Sequence, residues 1–279
     1  MSVAAARTAR DYKSDVKPTW CPGCGGYGVL SATHKALATL QLSPHEVVFV
    51  SGIGCSSRMP YFMRTYGFHG VHGRALPIAQ GVKLAAPQLT VFAVGGDGDL
   101  FSIGAGHMPH AAARNVDITV INMDNSIYGL TKGQTSPTSP RGHRTKSTPY
   151  GALVEPQNPV LMALSFGATF VARGYSARPK QLSELIVQGV RHKGFSFVHV
   201  VSPCTEFNNT FNYFDSAVEE LPAEHDRSNM GAAIGLALAE EKVHLGVFYQ
   251  IDRPTFDEAA GHLAEAKPFD AEEFFRRYE

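Results

Sequence analysis

The 279-residue sequence predicts an α/β fold with a doubly wound, mostly parallel sheet. Three observations lead to this prediction. Apolar runs of strand length alternate with helix-length segments up to about residue 204. The run at 47–50, Val-Val-Phe-Val, is too uniformly apolar for a strand with one solvent-facing side, which is typical of a buried parallel strand. Glycines, aspartates and cysteines follow the runs, as is common where α/β proteins bind ligands.

The first half of the chain supplies four predicted elements after a Gly/Pro-rich loop. A helical pattern covers about 29–42 and stops before Pro44. The run at 47–50 is predicted as the first strand, a helix follows at about 77–86, and a second strand lies at 91–94.

The next predicted helix, at about 103–113, contains Pro109, so we expect an irregular start. A strand at 118–121 follows it. The segment from Ser126 to about residue 157 is rich in glycine and proline and longer than an ordinary connection, which makes it a candidate functional loop. The remaining units are predicted as a helix from about 159, a strand at 169–172, a helix at 179–191 and a strand at 196–201.

The alternation weakens after about residue 206, and this change suggests three segments. Residues 1–19 form an N-terminal arm, 20–206 the α/β domain, and 207–279 a C-terminal extension that we expect to contact a partner. The extension is predicted to hold one helix near 229–241 and a short strand at 245–249.

The charge balance bears on the class of protein. Lys plus Arg number 25 and Asp plus Glu number 25, so the formal net charge is zero. We therefore expect no electrostatic capture of nucleic acid or of an anionic membrane. No apolar run approaches the roughly 20 residues that cross a bilayer, and a cytoplasmic location is expected.

A Gly-Asp-Gly turn at Asp97 follows the strand at 91–94, and Asn125 follows the strand at 118–121. Carboxylate, amide and carbonyl oxygens suit Mg2+, so Asp97, Asn125 and the carbonyl of Ile127 are predicted ligands. The glycines would let a diphosphate approach the backbone at a helix start. The alternative is a tight glycine turn in which Asp97 only caps a helix.

Four cysteines are present: Cys21, Cys24, Cys55 and Cys204. A Cys-x-x-Cys pair in a cytosolic chain indicates a metal or redox role more readily than a disulfide. On the residues alone, an iron–sulfur cluster, a structural zinc site and unrelated buried thiols all remain open.

Six sequence blocks together resemble the β subunits of the 2-oxoacid:ferredoxin oxidoreductases. They occur in that family's order and cover about 20–210. The blocks are Cys-Pro-Gly-Cys-Gly, Gly-Ile-Gly-Cys-Ser, His-Gly-Arg-Ala, Gly-Asp-Gly-Asp, Asp-Asn-x-Ile-Tyr-Gly-Leu-Thr-Lys-Gly-Gln and Ser-Pro-Cys. The resemblance implies a sheet of the thiamine diphosphate-binding type with Mg2+ at the Gly-Asp-Gly turn.

The resemblance also implies roles for particular residues. All four cysteines would be ligands of one [4Fe-4S] cluster. His72 and Lys132 would lie near the reaction, with Lys132 holding an anionic group of the 2-oxoacid or of coenzyme A. The implied contacts of thiamine diphosphate are Ile53, Gly54, Cys55, Ser56, His72, Gly98, Asp99, Gly129 and Leu130.

The implied activity is the coenzyme A-dependent oxidative decarboxylation of a 2-oxoacid, with 2-oxoglutarate favoured by Lys132. Ferredoxin would accept the electrons, and the reverse reductive carboxylation is open. The activating glutamate would come from an α subunit, in a dimer of αβ heterodimers. Two alternatives are a non-oxidative thiamine diphosphate decarboxylase, which has no use for the cysteines, and an iron–sulfur electron carrier, which has no use for the Mg2+ ligands.

Overall fold

The computed structural model describes residues 6–239, 241–264 and 276. Eight strands form one sheet in the order β2-β1-β3-β4-β6-β5-β8-β7. The strands are β1 (Val47–Ser51), β2 (Tyr66–His69), β3 (Thr90–Gly96), β4 (Thr119–Asp124), β5 (Phe170–Tyr175), β6 (Ser196–Val201), β7 (Val218–Glu220) and β8 (Val243–Gln250).

All neighbouring strands in the sheet are parallel except β5 and β8, which pair antiparallel. The carboxyl ends of β1, β3, β4 and β6 therefore lie at one edge. The loops that follow them carry the motifs identified in the sequence, and this edge is where parallel sheets bind ligands.

Helices cover both faces of the sheet. Side chains of α1 and α5 pack on one face, and those of α2, α3, α4 and α7 pack on the other. The helices are α1 (Gly26–Leu40), α2 (Ala75–Ala85), α3 (Met108–Arg114), α4 (Pro159–Ser165), α5 (Pro179–Arg191), α6 (Phe211–Ala217), α7 (Met230–Ala237) and α8 (Phe256–Ala264). The predicted doubly wound, mostly parallel α/β fold is confirmed.

The helix predicted at about 103–113 has the irregular start that Pro109 led us to expect: a π-helical turn at Asp99–Ile103 and a short 3-10 turn precede α3, which begins at Met108. Strand β2 was not predicted, since its side chains are mostly exposed at the sheet edge and form no buried apolar run.

The N-terminal and C-terminal segments both pack on the α/β domain where they are described. Tyr12 is fully buried, and its hydroxyl donates to the carbonyls of Leu37 and Leu42 at 3.0 and 2.7 Å. Strand β8 extends the sheet beyond β5, although the predicted extension partly lies outside the described residues. The predicted division of the protein into an arm (1–19), an α/β domain (20–206) and an extension (207–279) stays a prediction.

Within the described ranges, no helix combines the length and the apolar character that crossing a bilayer requires.

A pair of helix glycines tests how closely α1 approaches the sheet. A Cβ at Gly28 would lie 2.0 Å from the backbone oxygen of Ser176, whereas a Cβ at Gly81 in α2 would meet no heavy atom within 4 Å. We expect Gly28→Ala to lower the free energy of unfolding by about 1–3 kcal/mol, because the helix must move. Gly81→Ala should raise it by about 0.5–1 kcal/mol through helix propensity.

Urea denaturation of the two variants beside the wild type measures both effects. Equal stabilisation by both alanines would show that α1 does not approach Ser176 this closely.

Candidate active site

The loops at the carboxyl edge of β1, β3 and β4 enclose a cavity of about 410 Å3. Every residue predicted as a cofactor or Mg2+ contact lines this cavity. The lining residues are Ile53, Gly54, Cys55, Ser56, His72, Gly96, Asp97, Gly98, Asp99, Met123, Asn125, Ile127, Tyr128, Gly129, Leu130, Thr131 and Gln134. The structure therefore brings together loops that are far apart in the sequence.

Lys132 is the one predicted cavity residue outside this lining. It is exposed and adopts a left-handed conformation, with φ of 81°, in the turn that follows Gly129. Lys132 N donates to the carbonyl of Gly129 at 3.1 Å, which holds the turn in place. Its role as an anion contact stays a prediction.

Asp97 is a buried carboxylate without a basic partner among the described residues. Only 2% of the residue is exposed, and no ion pair joins it to a Lys, Arg or His in the described part of the chain. Burial, followed by the charge of Asp124, raises the pKa of Asp97 to about 7. A carboxylate in such a place is suited to a divalent cation, whose positive charge would offset the burial.

The other two predicted Mg2+ ligands lie in the turn after β4. Asn125 Oδ1 accepts a hydrogen bond from Ile127 N at 3.1 Å, so the side chain is locked to its own turn. This turn places the Asn125 amide and the backbone of Ile127 in the wall of the cavity that Asp97 also lines. Their oxygens are of the type that Mg2+ prefers.

Asp99 organises two neighbouring loops and a histidine. Its Oδ1 accepts from Ile53 N at 3.0 Å and from Gly73 N at 2.7 Å, and His72 Nδ1 lies 2.9 Å from the same oxygen. Burial raises the pKa of Asp99, and the two backbone hydrogen bonds act against that shift. The carboxylate therefore serves mainly to place His72 and the Ile53 loop at the cavity wall.

Gly129 forms the wall between the cavity and the cysteines. A Cβ on Gly129 would lie 3.7 Å from Cys204 Sγ and 3.8 Å from Cys55 Sγ. Burial, with smaller effects from the other three cysteines, raises the pKa of the Cys24 thiol to about 11. The four cysteines thus form one group that borders the cavity, and Cys21 is its exposed member.

Hydrogen bonds fix the backbone around the cysteines: Trp20 Nε1 donates to the carbonyl of Cys55 at 2.7 Å, and Gly26 N donates to Cys24 Sγ at 3.4 Å. No three or more Cys, His, Asp or Glu side chains within the described ranges are arranged to hold a metal ion. Four sulfur donors are of the type that binds either a structural zinc ion or an iron–sulfur cluster.

Tyr128 is a lining residue that was not predicted from the sequence. Its hydroxyl donates to the carbonyl of Gly98 at 3.2 Å, and a Cβ on Gly98 would come within 2.2 Å of its ring. Only glycine fits at position 98. Tyr128 occurs in the Ile-Tyr-Gly-Leu block, so its sequence context was a usable signal. Three further lining residues, Met123, Thr131 and Gln134, were also not predicted.

A buried series of hydrogen-bonded side chains, Asp124, His199 and Arg173, was also not predicted from the sequence. Asp124 Oδ2 lies 2.9 Å from His199 Nε2, and Arg173 Nε donates to His199 Nδ1 at 3.0 Å. Burial favours the neutral form of Asp124, but hydrogen bonds from His199, Thr138 and Ser126 act against it, and the pKa of that carboxyl is lowered. Burial lowers the pKa of Arg173 to about 10. No sequence motif marks this series of side chains, because its members come from three different strands.

Two family models match the chain. Residues 45–200 match the model for the thiamine pyrophosphate enzyme C-terminal TPP binding domain. Residues 204–265 match the model for the C-terminal part of the pyruvate ferredoxin oxidoreductase beta subunit. The first match contains all the cavity-lining loops, and it confirms the predicted thiamine diphosphate-binding type of fold.

Individual relatives extend this similarity over nearly the whole chain. The subunit beta of 2-oxoacid:ferredoxin oxidoreductase 2 from Aeropyrum pernix is 40% identical, covering 91% of this chain and 87% of its own. The 2-oxoglutarate oxidoreductase subunit KorB of Mycobacterium tuberculosis is 38% identical, covering 90% and 80%. A solved 2-oxoglutarate:ferredoxin oxidoreductase from Magnetococcus marinus, with 2-oxoglutarate, coenzyme A and succinyl-CoA bound, superposes with a TM-score of 0.92 at 43% identity, covering 98% and 96%.

The role of Asp99 can be tested with two substitutions. Asp99→Ala removes the acceptor of two backbone N–H groups, that of Gly73 buried and that of Ile53 partly buried, and we expect the free energy of unfolding to fall by about 2–4 kcal/mol. Asp99→Asn keeps one acceptor oxygen of the same shape, so its loss should be smaller. Urea denaturation gives the stability, and amide hydrogen exchange at Ile53 and Gly73 locates the effect. Equal exchange rates in Asp99→Ala and wild type would contradict this role.

Proposed function

The chain belongs to the β-subunit family of the 2-oxoacid:ferredoxin oxidoreductases, and from that premise we propose that it catalyses, together with an α subunit, the oxidative decarboxylation of a 2-oxoacid to acyl-coenzyme A and CO2. Electrons leave through one [4Fe-4S] cluster to ferredoxin, and the same site can run the reductive carboxylation. The proposed substrate is 2-oxoglutarate, which the names of the Mycobacterium tuberculosis and Magnetococcus marinus relatives support.

The observation that carries this proposal is the shared wall at Gly129. Gly129 lines the cavity that holds the three proposed oxygen ligands of a cation, and a Cβ on it would lie 3.7 Å from Cys204 Sγ and 3.8 Å from Cys55 Sγ. A decarboxylase without redox chemistry would need only the cavity, and an electron carrier would need only the sulfurs. Their adjacency favours an enzyme in which bond cleavage and electron removal occur side by side.

The residues in the cavity fit thiamine diphosphate and Mg2+. Asp97, Asn125 and the Ile127 carbonyl would hold the cation, which binds the diphosphate between the Gly98 turn and the turn at Gly129 and Leu130. The remaining predicted contacts of the cofactor, Ile53, Gly54, Cys55, Ser56, His72 and Asp99, line the same cavity. When bound, thiamine diphosphate would supply the carbanion that lets a 2-oxoacid lose CO2.

Cys21, Cys24, Cys55 and Cys204 are the proposed cluster ligands. Because Cys204 is buried and Cys55 lines the cavity, one side of this group lies next to the proposed cofactor site. Cys21 is exposed, which gives an electron acceptor such as ferredoxin access from the surface. A [4Fe-4S] cluster bound here would supply one-electron steps.

His72 and Lys132 are the proposed catalytic side chains. Asp99 holds His72 Nδ1, which leaves Nε2 for a polar contact with substrate or cofactor. Lys132 is exposed, and none of the ion pairs found within the described ranges involves it. Its charge is available to a carboxylate of the 2-oxoacid or to coenzyme A.

The α subunit is proposed to complete the site. Thiamine diphosphate needs a glutamate against its pyrimidine ring, and we propose that this glutamate comes from the α subunit. The C-terminal extension is the proposed contact with a partner, and the proposed assembly is a cytoplasmic dimer of αβ heterodimers.

Anaerobic coexpression with the α subunit tests the proposed reaction. Because the keto acid provides the electrons, viologen reduction should require a 2-oxoacid and coenzyme A, with 2-oxoglutarate the best substrate among several acids. Asp97→Ala is the inactive control. Reduction that does not depend on a 2-oxoacid would contradict the proposal, and a preference for pyruvate would overturn the substrate assignment.

Two substitutions should separate the two cofactors. Asp97→Ala should abolish retention of thiamine diphosphate but keep the iron, because Asp97 lines the cavity and is not one of the sulfur ligands. Cys21→Ala should lose the iron and the brown absorption but keep thiamine diphosphate, because Cys21 does not line the cavity. Iron analysis, visible spectra and cofactor quantification on anaerobically purified complexes measure both. Loss of iron in Asp97→Ala would mean that the carboxylate is wrongly assigned.

A further inference from the structure

Thr138 lies between two buried carboxylates at the floor of the cation site. Its Oγ1 is 2.9 Å from Asp97 Oδ2 and 2.8 Å from Asp124 Oδ1. All three residues are buried, with exposed fractions of 2% for Asp97, 8% for Asp124 and 7% for Thr138. Thr138 belongs to the long loop after β4, so it joins that loop directly to the proposed cation ligand Asp97.

The hydrogen-bond partners of Asp124 fix its position. Arg173 can only donate, so its Nε–H must donate to a lone pair on His199 Nδ1. The neutral ring then carries its hydrogen on Nε2, which points at Asp124 Oδ2 over 2.9 Å. Asp124 is therefore held from the strand side by Arg173 through His199, and its other oxygen remains for Thr138 and for Ser126 N at 3.0 Å.

The guanidinium of Arg173 is itself fixed. Its Cζ lies 5.2 Å from the ring centre of Phe248, and the residue is 8% exposed. The buried positive charge of Arg173 and the negative charge of Asp124 lie on either side of His199 and compensate each other. The anchor beneath Thr138 is thus rigid and electrically compensated without any contribution from Asp97.

The loop also holds Thr138 from its own side. Ser139 Oγ donates to the carbonyl of Ser126 at 2.6 Å, and Ser136 N donates to Ser139 Oγ at 2.8 Å. These bonds place the 136–139 turn over the turn that carries Asn125. Hydrogen bonds at Ser136 and Ser139, before and after Thr138 in the sequence, therefore orient the hydroxyl of Thr138 towards the carboxylates.

We propose that Thr138 is a positioning residue for the divalent cation: its hydroxyl, placed by the 136–139 turn, donates its one hydrogen to Asp97 Oδ2, so that the Asp97 carboxylate presents its other oxygen to the metal. Thr138 does not touch the cation. The proposal rests on the proposed function, because it requires Asp97 to be a cation ligand. The proposal also implies that tight cation binding requires an ordered 126–157 loop.

Four variants of the β subunit, each in the αβ complex, test this role. Thr138→Val removes the hydroxyl and keeps the shape, whereas Thr138→Ser keeps the hydroxyl. Thr145→Val is the matched control, because among the described residues the Thr145 hydroxyl has hydrogen bonds with Ser147 and Thr148 of the same loop and with no carboxylate. Asp97→Ala removes the proposed ligand. After removal of metal and cofactor, Mn2+ is titrated with saturating thiamine diphosphate, and free Mn2+ is measured by electron paramagnetic resonance.

We expect Thr138→Val to raise the Mn2+ dissociation constant roughly 10- to 100-fold, as substitutions behind a metal ligand commonly do. Thr138→Ser and Thr145→Val should bind Mn2+ like wild type. Rescue by serine identifies the hydroxyl rather than side-chain packing as the cause. If valine prevents folding of the subunit, Thr138→Ala provides a second variant that lacks the hydroxyl.

Two results would overturn the proposal in distinguishable ways. Wild-type affinity in Thr138→Val, together with lost binding in Asp97→Ala, would remove Thr138 from the site and leave the proposed function intact. Absence of thiamine diphosphate-dependent Mn2+ binding in the wild-type complex would overturn both the positioning role and the proposed function.

Discussion

The burial of two carboxylates side by side is the constraint on which the rest of this site depends. Asp97 follows strand β3, and Asp124 is the last residue of the neighbouring strand β4. Both residues are almost inaccessible to solvent. Two such charges repel each other in a medium of low dielectric constant. The fold compensates Asp124 from within, through His199 and Arg173, and leaves Asp97 without a basic partner among the described residues. This asymmetry is the physical reason for proposing a divalent cation at Asp97.

The glycines of the site follow from the same crowding. At Gly98 the ring of Tyr128 fills the space of a side chain, and at Gly129 two sulfur atoms lie at van der Waals distance from the position of a Cβ. Because neither residue has a side chain, the backbone itself lines this part of the cavity, and at Gly129 it also lies next to the two sulfurs. The short path between cavity and sulfurs is therefore a property of the backbone.

The two aspartates of the Gly-Asp-Gly-Asp motif, Asp97 and Asp99, are two residues apart after β3, yet their carboxylates make different contacts. Asp97 has a hydroxyl neighbour and an open cavity, whereas Asp99 accepts hydrogen bonds from Ile53 N and Gly73 N. The first is available to a ligand, and the second ties two loops and His72 to the end of the sheet.

Sequence alone was sufficient for the α/β class, for most of the strands and for the loops that form the cavity. Uniformly apolar runs identify buried parallel strands, and the ends of such strands must meet at one edge, so the motifs of Asp97, Asn125 and Cys55 could be placed together. The edge strands β2 and β7 were not predicted, because β2 is mostly exposed and β7 has three residues. Strand β8 was predicted at 245–249, but its antiparallel pairing with β5 was not, since pairing direction leaves little trace in the local sequence. Tertiary structure alone revealed the pairing of Asp124 with His199, 75 residues away, and the place of Thr138 between two carboxylates. Such contacts depend on which side chains the register of the sheet and the path of a long loop bring face to face, and no local pattern in the sequence records that register.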